Sequence, residues 1–240
     1  MKVLSLDWDY FMNCSEQDRF MYFPDAGTEE IGSAMTQMCW AKRYAESEKQ
    51  LLDIKTRSRE LDQIKKWIDS QDYPYMLAVL DSHKHLGDFL LQESLEESVR
   101  ELEIVNVDHH SDMFDSGDTL NCGNWLTHIK EKLPDTKITW IRNTDSRTDE
   151  VAKYDDIVVT DSIEKCSEAF DIIYLCRSSL WSCPHLDKEF SAFARFLTKR
   201  AIATILRQEL PGRYDDDMKK DIKSFKEMLN KAKGGQNDNP

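Results

Sequence analysis

The chain is short of everything that would divide it or tie it to a membrane. It holds 8 glycines and 6 prolines in 240 residues and no Gly/Ser-rich or Pro-rich linker. One domain over 1–235 is therefore expected, ending in a frayed polar tail at 236–240. No apolar run approaches the length of a membrane span. The opening Met-Lys-Val-Leu-Ser-Leu-Asp lacks the long apolar core of a signal peptide and reads as a strand. The six cysteines form no CxxC pair, and the chain is far too long for a disulfide scaffold. Reduced thiols in a cytoplasmic protein are expected. Basic residues are outnumbered, 32 Lys and Arg against 45 Asp and Glu, for a net charge of −13. Nucleic acid and anionic membranes select clustered Lys and Arg, so neither is expected as a partner, whereas a cationic substrate suits the balance. There is no internal repeat or low-complexity segment. Oligomeric state is not readable, and a homo-oligomer is left open.

What is present is a continuous alternation of strand and helix patterns. Val3–Leu6, Met76–Leu80, Glu103–Val107, Ile138–Ile141, Ile157–Thr160 and Ile172–Cys176 are short and largely apolar, as parallel strands buried on both faces are. Helical patterns cover Thr28 to about Arg43, Leu51–Trp67, Leu86–Val99, Asn124–Lys132, Glu189–Arg207 and Met218–Lys231. The predicted fold is α/β: a three-layer α/β/α arrangement around a mostly parallel sheet. In such sheets ligands bind beyond the carboxyl ends of the strands.

Three motifs fall at such ends. The run Ile104-Val-Asn-Val-Asp-His-His-Ser-Asp delivers Asp108, His110 and Asp112 to the end of a strand, on one side if the chain stays extended. Asp7 and Asp9 follow the first strand with the same period, and His83 follows the Met76–Leu80 strand. Carboxylate and imidazole donors together suit manganese, zinc or iron better than calcium. Each motif also has a plain structural reading. Asp caps helices and makes turns, and a histidine at a helix start often only packs. Asp7 and Asp9 also resemble the nucleophile strand of haloacid-dehalogenase-type phosphatases, with Asp7 as nucleophile and Asp9 as acid. Phe11 stands where that family usually has Thr or Val, and Asp108, His110 and Asp112 would be unused.

Taken together, the three motifs resemble the arginase and ureohydrolase family, with its Asp-x-His-x-Asp and Ser-x-Asp-x-Asp strand ends and one upstream histidine. The order differs, because the Ser-x-Asp-x-Asp strand opens this chain and Tyr10-Phe11 replaces the usual Asp-Pro. The pattern looks like a smaller, rearranged branch with an N-terminal Asp-x-Asp-Tyr-Phe signature, which contains the peptide arginases. The resemblance implies an arginase/deacetylase-like fold and two Mn2+ ions, bridged by Asp108 and Asp7. His83 and Asp112 would complete one position, and His110 and Asp9 the other. It implies a hydrolase that converts arginine side chains of a peptide to ornithine and urea.

Further roles remain open. Asp112 lies where it could also relay a proton. His109, His85 and His128 are unranked candidates for the acid that protonates the leaving amine. Asn124 could bind peptide backbone or cap a helix. Arg177, Ser178 and Trp181 leave another strand end and could line the pocket. Cys176 and Cys183 are expected to pack rather than react. A guanidinium needs a carboxylate away from the metals, for which Asp81, Glu29 and Glu30 are candidates. Competing readings are a hydrolase of a small guanidine or an acetylated amine on the same fold, the phosphatase, and a non-catalytic peptide-binding protein with a structural metal.

Overall fold

A computed structural model describes residues 1–25, 31–71, 73–95, 101–114, 117, 119–163 and 169–234. Its centre is a seven-stranded sheet in which every pairing is parallel. In chain order the strands are β1 (Lys2–Asp7), β2 (Met76–Leu80), β3 (Glu103–Val107), β4 (Lys137–Ile141), β5 (Ile157–Thr160), β6 (Ile172–Cys176) and β7 (Ala203–Arg207). In space they run β5-β4-β3-β1-β6-β2-β7. Helices α1 (Glu16–Tyr22), α2 (Ser33–Asp53), α3 (Ser58–Asp69), α4 (Lys84–Leu95), α5 (Trp125–Lys132), α6 (Asp187–Thr198) and α7 (Asp216–Gly234) complete the three-layer α/β/α fold.

Period-two alternation explains the two large cores. Leu4, Leu6, Val105 and Val107 pack into one, with α3 and α6 residues such as Ile64 and Phe193. Val3 and Ile104 pack into the other, with Leu86 of α4 and Leu126 of α5. A third apolar cluster joins α2 and α7 through Trp40, Tyr44 and Met218. On the second face each central strand carries a polar residue two positions before its aspartate. Ser5 precedes Asp7, Asn106 precedes Asp108, and the register sets Ser5 beside Asn106. Both are fully buried. The chain leaves β1 for β2 on one side and returns through β3 on the other, so the ends of β1 and β3 flank a switch point.

Several boundaries differ from the sequence expectation. The predicted helix from Thr28 begins at Ser33 and continues to Asp53, and Thr28 itself lies outside the described residues. The predicted Leu51–Trp67 helix is two helices. Residues 54–57 between them are pinned to the chain after β1, with Asn13 N–H donating to the Lys55 carbonyl at 2.9 Å and Arg57 N–H to that of Phe11 at 2.6 Å. The predicted helix Glu189–Arg207 stops at Thr198, and Ala203–Arg207 forms β7 instead. This edge strand is half-exposed and gave no buried-strand signal. The helix at Leu86–Val99 is described from Lys84 to Leu95, and 96–100 and the tail at 236–240 fall outside the described residues. No helix among the described residues is long and apolar enough to cross a membrane.

Candidate metal centre

The ends of β3, β1, β6 and β2 are adjacent, and the three sequence motifs meet there. His83 enters from the start of α4. Its Nδ1 lies 3.2 Å from Asp112 Oδ2, 3.3 Å from Asp7 Oδ2 and 3.8 Å from Asp108 Oδ2. His110 Nδ1 lies 3.0 Å from Asp9 Oδ2. The donors of His83, Asp108 and Asp112 lie within 4.8 Å of one another, as do those of Asp9, Asp108 and His110. Asp108 is common to both sets. All six predicted ligands are therefore brought together. Asp7, His83 and Cys176 form a further set, and Glu16, His109 and His110 another.

Buried neighbours hold each donor. Ser5 Oγ sits 2.8 Å from His83 Nε2, and the His83 ring is stacked between Trp125 and Tyr174 at 5.4 and 5.6 Å. Trp125 Nε1–H donates to Asp112 Oδ2 at 2.6 Å. Trp125 can come so close because position 87 is glycine: a Cβ there would stand 3.1 Å from the Trp125 Cβ. Asn106 donates to Asp108 Oδ2 at 3.2 Å, and the His110 N–H to Asp108 Oδ1 at 2.8 Å. Asp7 accepts from the Asp9 N–H at 2.9 Å and from the Ser178 hydroxyl. Asp112 and Ser178 both occupy left-handed backbone, at φ 54 and 50. Such strain costs roughly 1–3 kcal/mol per residue and clusters at functional sites.

The electrostatics are unbalanced. Four carboxylates, Asp7, Asp9, Asp108 and Asp112, are each at most 5 % exposed. Arg19 is the one Lys or Arg paired with any of them among the described residues, at 3.2 Å from Asp9. Burial and the Asp9 charge push Asp7 up to about 6. Burial and the charges of Asp112, Asp7 and Asp9 raise Asp108 well above the carboxylate range. Burial opposes charge on His83, but Cys176, Asp112 and Asp7 outweigh it and raise its pKa. Burial also acts to raise Asp9, but Arg19 and His110 hold it below the ordinary range. Crowding of buried carboxylates is what bound cations relieve. The donors present, carboxylate and imidazole, fit a divalent transition metal.

Asp7, His83, His110 and Asp112 line an open cleft of about 630 Å³. Trp181 and Phe114 stand in its walls, with Glu16, Asp25 and Glu150 among its acidic lining. Trp181 packs edge-on to His110 at 5.1 Å. His109 also lines the cleft, its Nδ1 2.9 Å from Asn143 Oδ1 and its Nε2 3.0 Å from Glu16 Oε2. Burial lowers the His109 pKa, and the His109 hydrogen bond lowers that of Glu16.

Other predicted residues lie elsewhere. His85 is exposed at the start of α4 and does not line the cleft. His128 lies on α5, 4.0 Å from Glu131, also away from it. Asn124 precedes α5 but makes no side-chain cap. It is buried, accepting from Asn121 N–H at 2.7 Å and donating to the Thr119 carbonyl at 3.1 Å, so it braces the loop rather than facing a ligand. Arg177 is turned from the cleft toward Asp81 at 3.1 Å and the Pro211 carbonyl at 2.8 Å. That pairing, and Ser179, also occupy Asp81. Glu29 and Glu30 lie outside the described residues. Cys183 packs as expected, whereas Cys176 sits at the cluster, 3.3 Å from Ser178 Oγ. Sequence reasoning missed Glu16, Arg19 and Asn143. The first two belong to a seven-residue helix too short to show periodicity.

Comparison with protein-family models, with curated proteins and with solved structures finds no match to this chain.

Proposed function

We propose that this chain is a manganese-dependent hydrolase of the arginase type, removing urea from arginine side chains of a peptide and leaving ornithine. The observation that carries the reading is the meeting of Asp7, Asp9, His83, Asp108, His110 and Asp112 at adjacent strand ends, with Asp108 common to two donor sets and Asp7, His83, His110 and Asp112 lining one open cleft. Two Mn2+ ions are the proposed cofactor: Asp7, His83 and Asp112 would hold one and Asp9 and His110 the other, with Asp108 within reach of both. When bound, such ions lower the pKa of a water molecule and offset the charge that develops during its addition to a carbon centre.

The residues have separable tasks. Asp112 accepts a proton from the attacking water. Glu16, Asp25 and Glu150 line the cleft beside Arg19, Arg43 and Arg147, and their carboxylates offer partners to a cationic side chain. Of the three histidines considered as proton donor, His109 lines the cleft, so it is assigned to protonate the leaving amine as the C–N bond to the side chain breaks. An open cleft suits a side chain presented on a peptide. A phosphatase using Asp7 as nucleophile sits poorly with this geometry. The Asp9 amide, Ser178 and His83 already surround both carboxylate oxygens of Asp7.

The test is incubation with Mn2+ and an arginine-rich peptide, followed by mass spectrometry. Each converted arginine should lose about 42 Da, with urea released in equal amount. An unchanged peptide, together with hydrolysis of a small guanidine or an acetylated amine, moves the assignment to that substrate. Phosphate release from a phosphomonoester without urea moves it to the phosphatase.

A further inference from the structure

The cluster contains a cation of its own. Helix α1 is fixed by a reciprocal cap, with Ser15 Oγ accepting from Asp18 N–H at 3.1 Å and Asp18 Oδ2 accepting from Ser15 N–H at 3.2 Å. From that helix Arg19 reaches under the cleft, its side chain 2 % exposed. Nη1 donates to Asp9 Oδ2 at 3.2 Å and to the Trp181 carbonyl at 3.3 Å, while Nη2 donates to the Asp9 carbonyl at 2.8 Å. The guanidinium lies 5.5 Å from the centre of the Phe23 ring. Its Nε is buried with no hydrogen-bond partner. Keeping the guanidinium here thus leaves a buried donor unpaired, and the contact it preserves is with Asp9.

That oxygen, Asp9 Oδ2, is the same one that faces His110. Among the described residues, Asp7, Asp108 and Asp112 have no Lys or Arg partner, and each is instead near His83.

We propose that Arg19 makes the two metal positions unequal, so that one divalent ion is held firmly by His83, Asp112, Asp7 and Asp108 while the second, at Asp9, His110 and Asp108, is bound weakly and exchanges. The inference rests on the two-metal reading above. Arg stays charged across the working pH range. It both occupies Asp9 Oδ2 and repels an incoming cation over a few ångströms in a poorly screened interior. Arg19 is a positioning residue here, setting occupancy through Asp9.

Calorimetric titration of the metal-stripped protein with Mn2+ tests this. Two binding steps are expected, the second weaker by about tenfold or more. In Arg19→Gln the second step should tighten about tenfold or more while the first shifts by less than about threefold. Arg19→Lys, which keeps the charge, should keep the two steps apart. A single step for two equal ions in the wild-type protein overturns the proposal, as does a second step that is unchanged or weaker in Arg19→Gln. Absence of any Mn2+ binding would instead remove the two-metal reading itself, so the two failures are distinguishable.

Discussion

The two halves of the cluster use the same kinds of donor and differ in what surrounds them. The His83 half is buried and braced: the His83 ring lies between Trp125 and Tyr174, Trp125 donates to Asp112, and Ser5 bonds His83. The His110 half is more open, with the His110 side chain 20 % exposed against Trp181, and it carries Arg19. Donor identity says which ions can bind. Countercharge and bracing say how tightly each is held.

The largest effects should come from residues that the halves share or that take part in the proposed reaction. Asp108→Ala is expected to abolish both binding steps in a Mn2+ titration. Asp112→Ala and His110→Ala should abolish urea release while the far-ultraviolet circular dichroism stays that of a folded protein. Full activity in either variant would remove this site assignment.

Bracing residues should act on one half alone. Trp125→Phe removes the donor to Asp112, and Ser5→Ala the partner of His83 Nε2. Each should weaken the first Mn2+ step by about 10–100-fold and leave the second within a few-fold. Equal weakening of both steps would erase the distinction between the halves.

Stability offers a smaller contrast. His83→Ala opens a buried, stacked position and should cost the metal-free protein about 2–4 kcal/mol in denaturant unfolding. His110→Ala, at a partly exposed position, should cost about 1 kcal/mol or less. The smallest effects should be those of His85→Ala and His128→Ala, each changing the rate of urea release by less than about twofold, within the range of surface substitutions. A large loss in either would return that histidine to the proton-donor role.

How much of this was readable beforehand depended on the kind of signal. β1, β3 and β6 are buried on both faces, and their apolar runs mark them without the structure. The six candidate ligands were readable because each follows an apolar run at a strand end. β7 was not, since Ala203–Arg207 is half-exposed and its apolar spacing continues that of α6. The break at 54–57 depends on pairing with Met12 and Asn13, a contact between segments more than forty residues apart. Arg19 carries no local mark: a lone arginine in a seven-residue helix reads as a surface charge until the fold sets it against Asp9. Arg177 is the converse case. It leaves a strand end beside the site, yet Asp81 and the Pro211 carbonyl turn it away.

The central claim, that these strand ends form one site for two divalent ions, is tested most directly by anomalous diffraction from crystals grown in manganese. The account predicts two peaks, one among His83, Asp112 and Asp7 and one between Asp9 and His110, with Asp108 touching both. Manganese bound elsewhere, or none, while these six side chains keep the arrangement described, would contradict it.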